Sequence, residues 1–143
     1  MTARRATEPE IRAVLDRSAL QSYLRGHIHV GELMHECADE EGVFVAIPTT
    51  ALAEASASYA EDAKTEALLR LITTLPAARV LDLDRDSALA MAKTLPLAKG
   101  DLSRAHAVWA ANKYRALYFT TEPDEVTSLV PADNIQPIPS EDA

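Results

Sequence analysis

Five acidic side chains and one arginine have the types and spacing for phosphate or metal chemistry: Asp16, Glu54, Asp101, Glu122, Asp124 and Arg104. Carboxylates gathered in one cleft repel one another, so they persist there only with a cation between them or with raised pKa values. Oxygen ligands of this kind suit Mg²⁺ or Mn²⁺. Such an ion orients water, lowers its pKa and offsets charge on a transferring phosphoryl group. Each acid also has a plainer use, as the cap of a helix N-terminus.

The elements that must position these groups can be read from hydrophobic pattern and turn chemistry. Ile11 to Leu15 is a short apolar run that closes on Asp16, as a buried strand would. A helix over Ser18–Leu24 follows, then one over Val30–Glu41 with Leu33, Met34 and Cys37 on one face and Gly42 as its stop. Val43–Ile47 is a continuous apolar strand, after which Thr49 or Thr50 can cap a helix to Tyr59. The spacing predicts a helix over Glu61–Leu75 with Ala67, Leu68, Leu71, Ile72 and Leu75 inward, and a strand over Arg79–Leu83. A helix capped by Asp84 or Asp86 then runs through Leu95, and another runs from Gly100-Asp101 to Tyr114 with Leu102, Ala105 and Trp109 inward. Ala116–Thr121 reads as a strand, Pro123–Leu129 as a short helix and Asn134–Ile138 as an edge strand because of Pro137. Strands alternating with helices imply an α/β domain with a mainly parallel sheet. Open parallel sheets bind ligands beyond the carboxyl ends of their strands. Asp16, Glu54 and Glu122 follow three such ends, with Asp101 and Arg104 in the helix that feeds the last of them.

The chain has 143 residues, which fits one domain over 1–143, with an arm over 1–10 and a tail over 140–143 expected to be flexible. Hydrophobic residues make up 48% and charged residues 25%, which excludes a disordered or collagen-like chain. Twenty-two acids against 14 basic residues leave a net charge of −8, which counts against nucleic-acid binding by bulk charge alone. Arg4, Arg5, Lys99, Lys113 and Arg115 are the scattered candidates for a local basic track. Cys37 is the only cysteine, so no intrachain disulfide can form and a reducing compartment is expected. No apolar stretch follows Arg4 and Arg5, and the longest apolar runs are too short for a bilayer. The expectation is a soluble, cytoplasmic protein without membrane contact.

Taken in order, these residues resemble a PIN-domain ribonuclease, in particular the VapC-type toxin of a VapBC toxin–antitoxin pair. Leu15-Asp16-Arg17-Ser18-Ala19-Leu20 resembles the family's opening strand and its Asp, and Ala53-Glu54-Ala55 its helical Glu. Arg104-Ala105-His106-Ala107-Val108 and Tyr118-Phe119-Thr120-Thr121-Glu122-Pro123-Asp124 resemble its closing helix and strand. The resemblance implies a three-layer α/β/α PIN-like fold and metal-dependent hydrolysis of RNA phosphodiesters. Asp16, Glu54 and Glu122 would be catalytic and would hold Mg²⁺ or Mn²⁺, with Asp101 or Asp124 as a further ligand. Ser18 would orient the first Asp or touch phosphate, and also suits a helix cap. A homodimer and inhibition by a VapB-like antitoxin peptide, which fills the acidic cleft with a basic side chain, are implied with it.

One departure bears on all of this. Where the family carries its third acid, this chain has Arg104, and its fourth acid is Glu122, one methylene longer than Asp. Asp101 lies one helical turn before Arg104 and can either supply the missing ligand or cap the helix. A guanidinium there can pair with two carboxylates and take the place of the metal. The alternative is therefore a catalytically impaired PIN-fold protein serving as a binding or regulatory module, with Arg104 replacing an acidic metal ligand. Other patterns are weaker. His27, His29, His35 and Cys37 have zinc-ligand chemistry without a zinc spacing, and Asp82-x-Asp84-x-Asp86 lacks the Gly and Glu of a calcium loop. His106 and Trp109 read as packing residues.

Overall fold

The computed structural model describes residues 9–59 and 61–139. Along the chain the strands are β1 (Glu10–Leu15), β2 (Val43–Pro48), β3 (Ala78–Leu81), β4 (Leu117–Thr120) and β5 (Ile135–Pro137). The helices are α1 (Arg17–Leu24), α2 (His29–Ala38), α3 (Thr49–Ser58), α4 (Ala63–Thr74), α5 (Arg85–Met91), α6 (Thr94–Leu97) and α7 (Leu102–Tyr114). The five strands pair in the order β3-β2-β1-β4-β5, all parallel. The edge position expected from Pro137 is the one β5 takes.

Alternation along the central strands supplies the two cores of a three-layer α/β/α fold. Leu15, Val45 and Ile47 face one side and pack with Leu20, Val30, Leu69 and Ile72 from α1, α2 and α4. Val14, Ala46 and Tyr118 face the other and pack with Ala107, Val108 and Ala111 of α7. A smaller group, Met91, Ala98 and Ala105, ties α5 and α6 to α7. From β1 the chain steps outward to β2 and β3, then returns to place β4 and β5 on the other side. The strand order thus reverses between β1 and β4, and the crevice beyond their carboxyl ends is where such sheets take ligands.

Several expected elements are corrected. The helix expected to run through Leu95 is two pieces, α5 and α6. A continuous helix would drive the Pro96 ring into the Ala92 carbonyl four residues back, whereas in the first turn of α6 its missing N–H is harmless. Thr49 and Thr50 do not cap α3, because Pro48 is its N-cap residue and makes no side-chain cap bond. α4 buries Thr65, Leu69 and Ile72, leaving Leu71 and Ala67 exposed. α7 is covered on two sides, so it buries Ser103, Ala105, His106, Ala107, Val108, Ala110 and Ala111. Leu102 is exposed and Trp109 only half-buried. Of the helix expected over 123–129 only a 3₁₀ turn, Pro123–Glu125, forms. α2 and β3 end earlier than expected, at Ala38 and Leu81. Glu10 already belongs to β1 rather than to an arm, and residues 1–8 and 140–143 lie outside the described residues, as do Arg4 and Arg5.

His106 is fully buried and its Nδ1 lies 2.8 Å from Thr50 Oγ1, while Nε2 has no hydrogen-bond partner among the described residues. Burial holds its pKa below the ordinary 6.5. The folded state therefore binds this proton less readily than the unfolded chain, and stability present above about pH 6.5 is lost as the pH falls below it. The expected contribution is at most about 1.4 kcal/mol per pH unit. Chemical denaturation of wild type and His106→Asn at pH 7.5 and pH 5 (both values about right to bracket the imidazole) should show the smaller acid loss in the variant.

Candidate functional site

The carboxyl ends of β1 and β4 open onto the N-terminus of α7, and the chain's chemistry gathers there. Asp16 is the N-cap of α1: its Oδ1 accepts from the Ala19 amide at 2.9 Å and from Ser18 Oγ at 2.6 Å. Ser18 Oγ in turn accepts from the Thr121 amide at 2.9 Å and lies 3.1 Å from Thr120 Oγ1. Thr120 Oγ1 accepts from the Glu122 amide at 2.9 Å. Asp16, Ser18 and Thr120 are all buried, so this network stitches the end of β1 to the end of β4. Ser18 donates to Asp16 and so helps fix its orientation, but it does not cap α1: the N-cap is Asp16 itself.

The outer acids are tied to arginines. Arg17, at the first position of α1, donates to Glu54 Oε1 through Nη1 and to Asp101 Oδ2 through Nη2 at 3.3 Å. Arg104 donates to Asp101 Oδ2 at 3.2 Å and to Glu122 Oε1 at 2.6 Å. Ser103, buried on α7, adds a bond to Glu54 Oε1 at 2.9 Å. Glu54, Arg17, Asp101, Arg104 and Glu122 thus form a ladder of alternating charge. Asp101 stands at its centre and also caps α7, accepting from the Arg104 amide at 3.1 Å.

The electrostatics follow from this order. Burial pushes the Asp101 carboxyl up, but the Arg104 amide and the charges of Arg17 and Arg104 outweigh it and hold its pKa below the ordinary 3.8. Burial opposes the charge on Arg17, yet its bonds to Glu54 and Asp101 leave its pKa raised. Tyr118, fully buried on β4, has no well-aligned partner for its hydroxyl. Burial, and then the Asp16 charge, push the phenol well above its ordinary range, with Arg104 opposing. The Tyr118 phenol thus feels the charges of both Asp16 and Arg104.

The sequence-based candidates separate into three groups. Glu54, Asp101, Arg104 and Glu122 come together in the ladder, and Asp16 with Ser18 belongs to the separate buried network at the ends of β1 and β4. Asp124 is exposed in the 3₁₀ turn, and its side chain makes no hydrogen bond or ion pair among the described residues. Arg17, Ser103, Thr120 and Tyr118 went unmarked in the sequence reading. Only Arg17 carried a signal, as the cation wedged between Asp16 and Ser18. Of the two uses open to Asp101, capping is the one the structure shows.

Whether the site suits Mg²⁺ or Mn²⁺ turns on the ladder. Among the described residues, no group of three or more His, Cys, Asp or Glu side chains is placed to hold a metal ion. Three of the expected ligands already face a guanidinium. A divalent ion about 4 Å from one guanidinium meets a repulsion of about 8 kcal/mol at an effective dielectric near 20. As arranged, these side chains do not fit such an ion. The hollow beside Arg104 and Asp101 is small, about 220 Å³, and is lined also by Leu97 and Glu125.

Solved structures that share the fold include two VapBC complexes. One is a chain of VapBC2 from Rickettsia felis bound to a DNA fragment from its promoter, at a TM-score of 0.64 and 10% identity, with 89% of this chain and 98% of that chain covered. The other is a chain of DNA-bound VapBC from Salmonella typhimurium, at a TM-score of 0.62 and 14% identity, with the same coverage of 89% and 98%. No family model and no curated protein sequence matches the chain. The likeness is one of fold, and that fold is the PIN-like, VapC-type α/β/α arrangement expected from the sequence. Among the described residues, no helix is long and apolar enough to cross a membrane.

Ser18→Ala removes a buried hydroxyl that serves one carboxylate, one amide and one neighbouring hydroxyl. The expected loss is about 1–3 kcal/mol of unfolding free energy, since both Asp16 and the Thr121 amide lose a partner. Urea denaturation measures it, with Ser58→Ala on the exposed end of α3 as the near-neutral control.

Proposed function

We propose that this chain is a PIN-fold binding or regulatory module whose acidic cleft is neutralised from within, and that it works through a partner rather than through metal-dependent hydrolysis. The observation that carries this reading is the ladder: Glu54, Asp101 and Glu122 each bond an arginine of the same chain. Arg104 pairs with Asp101 and Glu122, and Arg17 with Glu54 and Asp101, which supports this reading. Removing one arginine leaves its carboxylates facing each other across a partly dry cleft, which is the arrangement that attracts a cation.

The neighbours in fold are VapBC complexes bound to DNA. By that likeness the partner is a VapB-like antitoxin peptide; pairing with a second copy is implied only by the resemblance of the sequence to the family. A partner that inserts a basic side chain into this cleft finds its counter-ions already taken. Its contacts therefore lie mainly outside the ladder, or displace Arg17 and Arg104.

A second reading has one observation in its favour. The acids do converge at the sheet's switch point, and the Glu54 and Glu122 side chains retain 39% and 46% exposure, enough to turn away from their arginines. In that reading the protein is a Mg²⁺- or Mn²⁺-dependent endoribonuclease acting on RNA, with Asp16, Glu54 and Glu122 as its catalytic acids.

Mn²⁺ titration followed by calorimetry, alongside cleavage of a single-stranded RNA, separates the two. The expected result for wild type is no binding at millimolar Mn²⁺ and no cleavage. Arg104→Asp should create Mn²⁺ binding with a dissociation constant below about 1 mM. Tight binding and RNA cleavage by the wild-type chain would reverse the assignment.

A further inference from the structure

A second cleft of about 500 Å³ lies between the end of β3 and the C-terminal half of α7, and shares no residue with the ladder. Its aromatic surface is Trp109 and Tyr114, and Trp109 is backed by His106, whose ring centroid is 6.2 Å away at an interplanar angle of 29°. Lys113 Nζ stands over both rings, 5.0 Å from the Trp109 centroid and 5.3 Å from that of Tyr114. Arg79 lies 4.4 Å from the Phe44 centroid. Among the described residues, neither cation makes an ion pair; ring faces are their partners.

The acids of the cleft are largely committed elsewhere. Asp84 closes the capping box of α5 with Ser87, and Asp86 pairs with Arg85. Asp82 alone has a carboxylate without a hydrogen bond among the described residues. Two unpaired cations, one open carboxylate and a rigid π surface therefore converge on one space. The lining as a whole sets these two cations against three carboxylates, Asp82, Asp84 and Asp86, with the charge of Lys113 also felt by Asp84.

Each feature selects part of a ligand. The Trp109 ring, backed by His106, takes a planar, sequence-tolerant partner by stacking once the flexible Lys113 side chain swings off the ring faces toward a phosphate. Unpaired Lys and Arg take a phosphate. A free carboxylate accepts from amino and ring N–H groups of a base edge. Asp84 and Asp86 nearby disfavour a polyphosphate, so one phosphate suits the cleft better than three.

We propose that this cleft binds one nucleotide unit, its base on Trp109 and Tyr114, its phosphate on Lys113 and Arg79, and a base N–H on Asp82. The unit is a free nucleoside 5′-monophosphate or one nucleotide of single-stranded RNA, which share this chemistry. The inference is independent of the ladder, and it uses no metal.

Trp109 is the only tryptophan, so its fluorescence reports this cleft in the full chain. Titrations without divalent metal use AMP, GMP, ATP, adenosine, ribose 5-phosphate and a single-stranded RNA octamer. The expected result is saturable quenching by AMP or GMP with a dissociation constant below about 1 mM, and roughly tenfold weaker binding of adenosine and ATP. Ribose 5-phosphate, which has no base to stack, should leave the emission unchanged. Lys113→Ala and Arg79→Ala, each checked for a native circular dichroism spectrum, should each weaken AMP binding roughly tenfold. Binding of the octamer at much lower concentration than AMP assigns RNA as the source, and parity assigns the free nucleotide. Absence of saturable quenching by AMP, GMP and the octamer overturns the proposal, as does quenching that both variants leave unchanged.

Discussion

The cleft rests on one carboxylate, Asp101, shared by two guanidiniums. The sheet's topology brings Glu54, Asp101 and Glu122 to the same edge, where their mutual repulsion must be met by positive charge. Asp101 accepts Arg17 from α1 on one side and Arg104 from its own helix on the other. The same carboxylate caps α7, so the start of that helix and the placement of Arg104 are set together. The separate buried Asp16–Ser18–Thr120 network fixes the ends of β1 and β4 and hence the place from which Arg17 and Glu122 project.

Much of this was legible in the sequence, for a physical reason. A buried strand must end in a turn whose polar groups cap the next helix, so apolar runs closing on Asp16 and on Thr121-Glu122 mark the working edge of the sheet. Arg104 stands out only through the resemblance to the PIN family, which implies an acid at that position. Arg17 did not stand out: an arginine at a helix start usually points to solvent, and only the strand order, which periodicity does not encode, turns it toward Glu54 and Asp101. Tyr118 read as a strand residue, and its place beside Asp16 comes from the pairing of Val14 with Tyr118 across β1 and β4. Trp109 read as core because its spacing matches Ala105, but α7 packs on two sides and leaves that ring at the rim of the second cleft.

Each cleft carries part of the net charge of −8. At the switch point, three acids are offset by two arginines of the same chain, so the cleft presents little of its charge to an incoming ion. At the far end of α7, two cations have aromatic partners beside three carboxylates, Asp82, Asp84 and Asp86.

The claim that Arg17 and Arg104 are the cleft's cations is tested most directly by the titration of the Asp101 side-chain carboxyl, followed by carbon-13 NMR. The expected midpoint lies below the ordinary 3.8, does not move with millimolar Mg²⁺, and rises in the double variant Arg17→Gln/Arg104→Gln. A midpoint at or above 3.8 in the intact chain, or one that shifts with Mg²⁺, would contradict it.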